Sequence, residues 1–181
     1  MKKLFVFYII LISSCFYLHG QTIQLASNIM GDTDPGGMYV FNGQLYFRTC
    51  YNLGQQPWVT DGKFADAKQL YGEINVGTFS AMNGKVYFGG YNISGRYHGL
   101  YATDGTDTGT KLVAMCNAII TDIPNCVLNN KLYFYGSSYL SGLNGNELWV
   151  SDGTDTGTKM FLDINKNNSG GCNVRFMDIP D

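Results

Sequence analysis

Two short sequence blocks recur three times along this chain of 181 residues, and the repeat limits its fold more than any other feature. The first block reads VFNGQLYF at 40–47, AMNGKVYF at 81–88 and VLNNKLYF at 127–134. The second block reads QPWVTDGKFADAK at 56–68, GLYATDGTDTGTK at 99–111 and ELWVSDGTDTGTK at 147–159. Successive Asp-Gly pairs are 43 and then 48 residues apart, so the chain is built from tandem units of about 45 residues.

Each unit has the composition of four β-strands. Asn-Gly or Asn-Asn in the first block is a tight-hairpin signal between two short apolar segments, and the second block places a Thr-rich Asp-Gly turn between two more. No window has the 3.6-residue periodicity of a helix. Four strands in about 45 residues are typical of a β-propeller blade. We therefore predict an all-β fold of tandem four-stranded antiparallel blade-like repeats forming a partial, unclosed β-propeller, with units at about 38–74, 79–116 and 125–164 and the start of a fourth at 165–181.

The first 20 residues have the pattern of a secretion signal. Two lysines precede an apolar run that is too short to span a bilayer comfortably, and Gly20 precedes the expected cleavage point. An alternative is a lipobox ending at Cys15, which would make the protein a lipoprotein, although the apolar run continues past that cysteine. We expect a secreted or outer-surface protein with residues 21–181 as its repeat region and no membrane span.

The charge of the mature region excludes one class of partner. Removing the signal takes away two lysines and no acid, which changes the formal net charge from −2 to −4. A mildly acidic surface offers no electrostatic attraction to phosphate backbones, so we expect no nucleic-acid partner.

The third copy of the second block resembles a known repeat family. ELWVSDGTDTGTK, followed by FLDIN, is similar to the ELWxxDGT repeat of secreted and surface bacterial proteins. The second copy keeps DGTDTGT but replaces Glu-Leu-Trp with Gly-Leu-Tyr, and the first keeps Trp58, Asp61 and Gly62 without the threonines. The resemblance implies an exported, propeller-like β-repeat and carries over no catalytic residue.

The repeat also bears on the end of the sequence. The segment 172–180 aligns with 116–124, since both read Cys-Asn, four residues and then Asp-Ile-Pro, but the earlier copy continues into a hairpin. We expect the sequence to be a truncated piece of a longer repeat array, because three blades cannot close a ring of about four to eight. Further blades would come from the same longer chain or from another chain.

The sequence contains few of the residues that enzymes use for catalysis. The mature region has one histidine, His98, which we expect to be an exposed loop residue, so histidine-dependent triads and metal sites are disfavoured. The prominent acids recur at equivalent turn positions, where they cannot converge on one glycosidic bond. We predict no enzyme activity, with an alternative in which the chain is a fragment of an extracellular polysaccharide hydrolase or lyase whose active site lies elsewhere.

The Asp-rich turns raise the question of calcium. Asp104, Asp107, Asp152 and Asp155 are carboxylates of the kind that calcium prefers, but they fall at turn positions 1 and 4 rather than at 1, 3 and 5. We favour a structural turn without metal or cofactor over a calcium site.

Four cysteines remain after the signal. Cys116 and Cys126 flank one short segment, and export permits disulfides, so we predict that these two pair. The alternative is that all four are buried thiols.

Tyrosines in the variable loops are candidate ligand contacts, since tyrosine can stack on sugar rings. These are Tyr51, Tyr91, Tyr97 and Tyr139. The alternative is ordinary loop packing. We predict a non-catalytic exported repeat scaffold for surface binding or adhesion, with an extracellular glycan or protein as its partner.

Overall fold

The computed structural model of the protein describes residues 34–51, 54–63, 66–72, 74–92, 98–118, 125–137 and 146–164. The expected signal at 1–20, with Cys15, and the expected start of a fourth unit at 165–181 lie outside these residues.

The described residues form three antiparallel sheets in which four strands follow one another in sequence order. The first sheet contains β1 (Asp34–Phe41), β2 (Gln44–Tyr51), β3 (Gly54–Thr60) and β4 (Lys68–Gln69). The middle sheet contains β5 (Ile74–Met82), β6 (Lys85–Asn92), β7 (His98–Thr103) and β8 (Lys111–Met115). The third sheet contains β10 (Cys126–Leu128), β11 (Lys131–Ser137), β12 (Glu147–Ser151) and β13 (Lys159–Leu162), and the short β9 (Asn117–Ala118) also pairs with β11.

The predicted hairpin signals form the tight turns between the first two strands of each sheet. Both turn residues have positive φ in all three copies: 48° and 73° at Asn42-Gly43, 51° and 76° at Asn83-Gly84, and 51° and 56° at Asn129-Asn130. This is the mirror-image turn whose twist matches that of a hairpin, and Asn and Gly adopt it at the lowest cost.

An irregularity interrupts the first strand of each unit. The register of β1 on β2 shifts between Gly36 and Tyr39, and that of β5 on β6 shifts between Val76 and Phe79. In the third sheet the corresponding strand is divided, since β9 pairs with one end of β11 and β10 with the other. The first strand is therefore bent in the first and middle sheets and split in the third.

The sheets pack face to face in sequence order, and each has two distinct faces. We call one the Tyr face, with Tyr46, Val59 and Leu70 in the first sheet, Tyr87, Ala102 and Val113 in the middle sheet, and Tyr133, Val150 and Phe161 in the third. We call the other the Phe face, with Leu45, Phe47 and Trp58, then Val86, Phe88 and Tyr101, then Leu132, Phe134 and Trp149.

The core consists of two layers between these faces. The Tyr face of the first sheet packs on the Phe face of the middle sheet, and the Tyr face of the middle sheet packs on the Phe face of the third. Within the first layer, the rings of Phe88 and Tyr101 stack with centroids 5.8 Å apart. The middle sheet is covered on both sides, so β5 and β7 are almost entirely buried, whereas three of the five residues of β8 are exposed.

The prediction of an all-β fold with tandem antiparallel units of four strands is confirmed. Over the described residues there is no helix, and no sheet closes on itself. In that same part of the chain no helical segment has the length and apolar character needed to cross a membrane.

Candidate functional site

The Asp-Gly turns join the third and fourth strands of each sheet, and their aspartates bond within the turn. In the middle sheet, Asp104 Oδ1 accepts hydrogen bonds from the backbone N–H (2.9 Å) and the hydroxyl (2.7 Å) of Thr106. In the third sheet, Asp152 Oδ1 accepts the same two bonds from Thr154, at 2.9 and 2.6 Å. The glycine that follows each aspartate has a φ of 90–92°. The aspartate and glycine are therefore required by the turn itself.

The second half of the motif extends this network. The Thr106 hydroxyl accepts a bond from the Gly109 N–H (2.9 Å), and the Thr110 hydroxyl donates to the Thr106 carbonyl (2.6 Å). A Cβ at Gly109 would overlap the Asp104 carboxylate, which explains why glycine stands there. The third sheet repeats the arrangement with Thr154, Gly157, Thr158 and Asp152. The aspartate, threonine and glycine residues that recur in this network are therefore each explained by a contact within the turn.

The turn of the first sheet keeps the beginning of this geometry without the threonines. Asp61 Oδ1 accepts a bond from the Lys63 N–H (3.0 Å), and Gly62 has the same positive φ as its counterparts. Lys63 stands where the other copies have a threonine, and its ammonium group lies 2.6 Å from Asp61 Oδ2. An exposed lysine thus partners the aspartate in the first copy.

These contacts lower the pKa of each turn aspartate. Bonds from the hydroxyl and then the N–H of Thr106 hold the pKa of Asp104 below its ordinary value, and Thr154 acts in the same way on the pKa of Asp152. For Asp61 the side chain of Lys63 is the main cause of the lowered pKa. Lowered pKa values keep the three groups ionised, and all three lie at the surface.

The four acids considered for calcium do not form one cluster. Asp104 and Asp152 bond to threonines of their own turns, and Asp107 Oδ1 accepts a bond from the Tyr71 N–H (2.9 Å) at the end of the first sheet. Within the described residues, no group of three or more His, Cys, Asp or Glu side chains is placed to hold a metal. Asp107 instead links two neighbouring sheets.

The predicted cysteine pair occupies two different environments. Cys116 is fully buried against the middle sheet, with its Sγ 3.9 Å from the Ala114 carbonyl oxygen, whereas Cys126 is exposed on β10. The structure does not join the two sulfurs to each other. Their pairing stays a prediction for the exported protein.

The structure describes the histidine and two of the four candidate tyrosines. Tyr91 lies in β6 and its ring stacks on His98, with centroids 5.2 Å apart. His98 begins β7 and is half-buried, so the expectation of an exposed loop residue is wrong: the ladder between β6 and β7 extends to the Tyr91–His98 pair. Tyr51 ends β2, and Tyr97 and Tyr139 lie outside the described residues.

A groove runs beside the first strands of all three sheets, and the sequence did not indicate it. Its volume is about 390 Å³, and its lining includes Met38 and Tyr39 from β1, Ser80 from β5, and Asn125 and Val127 at β10. The Tyr39 hydroxyl accepts a bond from the Ala81 N–H (3.0 Å), which ties the first sheet to the middle one within the groove. The groove combines exposed apolar side chains with amide and hydroxyl groups, a mixture that suits a sugar or a peptide.

A second contact between sheets was not evident from the sequence. The Tyr46 hydroxyl would lie 3.0 Å from a Cβ built on Gly105 in the turn of the next sheet, and the Tyr87 hydroxyl fills the corresponding position at Gly153. Burial and then the negative charge of Asp104 raise the pKa of Tyr46. The recurring tyrosine of the first block and the recurring glycine of the second were the available signal.

No protein-family model matches this chain, and no curated protein matches it.

Proposed function

We propose that this chain is a non-catalytic exported scaffold that binds an extracellular glycan or protein at a cell surface. The observation that carries the proposal is that the repeated acids belong to turns. Asp104 and Asp152 are each held by a threonine of their own turn, and the two turns belong to different sheets. Glycoside hydrolysis needs two carboxylates about 5–9 Å apart across one bond. Acids fixed singly in successive turns support a structural role instead.

The stacked sheets fit a role as propeller blades in this proposal. In a propeller the first strand of each blade lies next to the central axis, and ligand sites are commonly found near that axis or in the loops. In such an arrangement the groove beside β1, β5 and β10 would lie near that axis, and the side chains that line it are suited to recognition. The likeness of the third repeat to the ELWxxDGT family of exported proteins supports the surface location.

A binding experiment on the intact protein tests the proposal. Labelled protein is applied to arrays of extracellular polysaccharides and matrix proteins, and at least one reproducible hit is expected. Met38→Lys places a charge in the groove and is expected to weaken that binding by at least about tenfold. Met115→Lys, at an exposed methionine of β8 outside the groove lining, is the matched control and should bind like the wild type.

Three outcomes would contradict the proposal. They are the absence of any hit, equal loss of binding in both variants, and cleavage of a polysaccharide by the purified chain. The last outcome would place an active site within this chain, which also contradicts the hydrolase or lyase alternative, whose active site lies outside it.

A further inference from the structure

The two internal interfaces of this protein are built from the same repeat positions. In both, the tyrosine of the first block meets the Asp-Gly turn of the following sheet: Tyr46 lies against Gly105, and Tyr87 against Gly153. The Tyr face and the Phe face are thus two complementary surfaces, and each sheet carries one of each. Each of the two outer sheets uses only one of its two faces in these interfaces: the first sheet its Tyr face, and the third its Phe face.

The third sheet presents a Tyr face that is partly open. Tyr46 is 2% exposed and Tyr87 3%, but the corresponding Tyr133 is only half-buried. The outer-strand position changes more: Leu70 is 0% exposed in the first sheet, whereas Phe161 is 56% exposed in the third. Phe161 contacts Tyr133 edge to face, with ring centroids 5.4 Å apart. An aromatic pair therefore lies where the earlier sheets hold buried interface residues.

The first sheet presents the complementary Phe face, also partly open. Val86 and Leu132 are both 0% exposed, whereas Leu45, at the corresponding position of the first sheet, is half-buried. Val40, which pairs with Leu45 across β1 and β2, is 71% exposed. A Cβ at Gly62 would meet no described atom within 4 Å, in contrast to Gly105 and Gly153.

Only part of each end face is exposed. Phe47 on the first sheet and Val150 on the third are buried. Among the described residues, the surface open to a partner is therefore the region of Val40, Leu45 and Gly62 at one end, and of Tyr133 and Phe161 at the other.

We propose that these two end surfaces bind each other between two copies of this chain, with the Tyr133 hydroxyl of one copy entering the space over Gly62 of its partner. The contact would repeat the two interfaces already present inside each copy. It is head to tail, so it must either close or continue as a filament. Propellers close with about four to eight blades. Two copies would bring together six of the sheets that the structure describes, a number within that range, through two identical contacts.

Sedimentation velocity of the intact chain over a range of concentrations tests the stoichiometry. The expected result is a single species of twice the chain mass that dissociates on dilution. Phe161→Lys changes the Tyr face of the third sheet, and Val40→Lys changes the Phe face of the first. Each is expected to raise the dissociation constant by at least about tenfold, because a charge would enter an apolar contact. Both side chains are exposed, so the fold should persist, as circular dichroism would verify.

A mixing experiment tests the head-to-tail geometry. Phe161→Lys leaves the end face of the first sheet intact, and Val40→Lys leaves that of the third sheet intact. An equimolar mixture should therefore form a mixed dimer through one intact contact, at concentrations where each variant alone is monomeric. Met115→Lys is the control and should dimerise like the wild type.

A wild type that is monomeric throughout, an open series of larger species, or a mixture that forms no mixed dimer would overturn the proposal. None of these outcomes depends on whether the chain binds a glycan or a protein.

Discussion

At the scale of single residues, the DGTDTGT turn explains its own sequence. Thr106 bonds to both Asp104 and Gly109, and the absence of a side chain at Gly109 leaves room for the Asp104 carboxylate. Such a network is local, so the turn can be recognised from a few adjacent residues. Its recurrence indicates that the fold needs the turn in each unit, and this accounts for the repeated acids without a bound ligand.

Gly109→Ala should destabilise the protein strongly for a change of one methyl group. The new Cβ would overlap the Asp104 carboxylate, so the turn must open and the hydrogen bonds of Thr106 with Asp104 and Gly109 must weaken. We expect a loss of about 1–3 kcal/mol in the free energy of unfolding, measured by denaturant titration. Gly72→Ala is the matched control, since its Cβ would meet nothing within 4 Å, and its effect should stay within about 1 kcal/mol. Equal effects of the two changes would argue against the proposed origin of the glycine.

At the scale of secondary-structure elements, the hairpins are the best-specified part of the fold. All three have positive φ at both turn residues, but the third uses Asn130 where the others have Gly43 and Gly84. Asparagine tolerates this conformation better than most residues, although glycine adopts it without a steric cost. The β10–β11 hairpin therefore carries a small strain that the other two lack.

Asn130→Gly should raise the stability of the protein. The residue has a φ of 56° in the folded state, and we expect a gain of about 0.5 kcal/mol from relief of strain, which the greater freedom of glycine in the unfolded chain partly offsets. The reciprocal change, Gly84→Asn, should lower the free energy of unfolding by a similar amount. Thermal unfolding of both variants measures the effect, and a change of the same sign in both would contradict this account.

The sequence predicted what depends on neighbours along the chain and missed what depends on distant residues. The strand class, the hairpins and the Asp-Gly turns follow from adjacent residues such as Asn42 and Gly43. The contact of Tyr46 with Gly105, the division of one strand into β9 and β10, and the groove beside the first strands depend on how separate units pack. Repeat spacing gives the number of units but not the face that each one turns to the next.

At the scale of the whole molecule, protection is unequal among the three sheets. The middle sheet lies between the two others, and β5 and β7 are almost entirely buried. By contrast, all three residues of β10 are exposed, as are three of the four in β13. Opening of an outer strand therefore exposes little apolar surface, whereas opening of the middle sheet disrupts both core layers.

Hydrogen exchange should therefore be slowest in the middle sheet. In a mass-spectrometric experiment on dilute protein, where copies are separate, amides of 74–92 and 98–103 should exchange more slowly than those of 126–128 and 159–162, because only the former lie in strands covered on both faces. Raising the concentration into the range of the proposed dimer should add protection near Tyr133 and Phe161 while leaving 74–92 unchanged, since that segment is already covered by the sheets on either side. The Phe161→Lys variant is the control, in which this concentration dependence should disappear. Uniform exchange across the three sheets would contradict the layered arrangement, and protection of the outer sheets that does not change with concentration would contradict the association between copies.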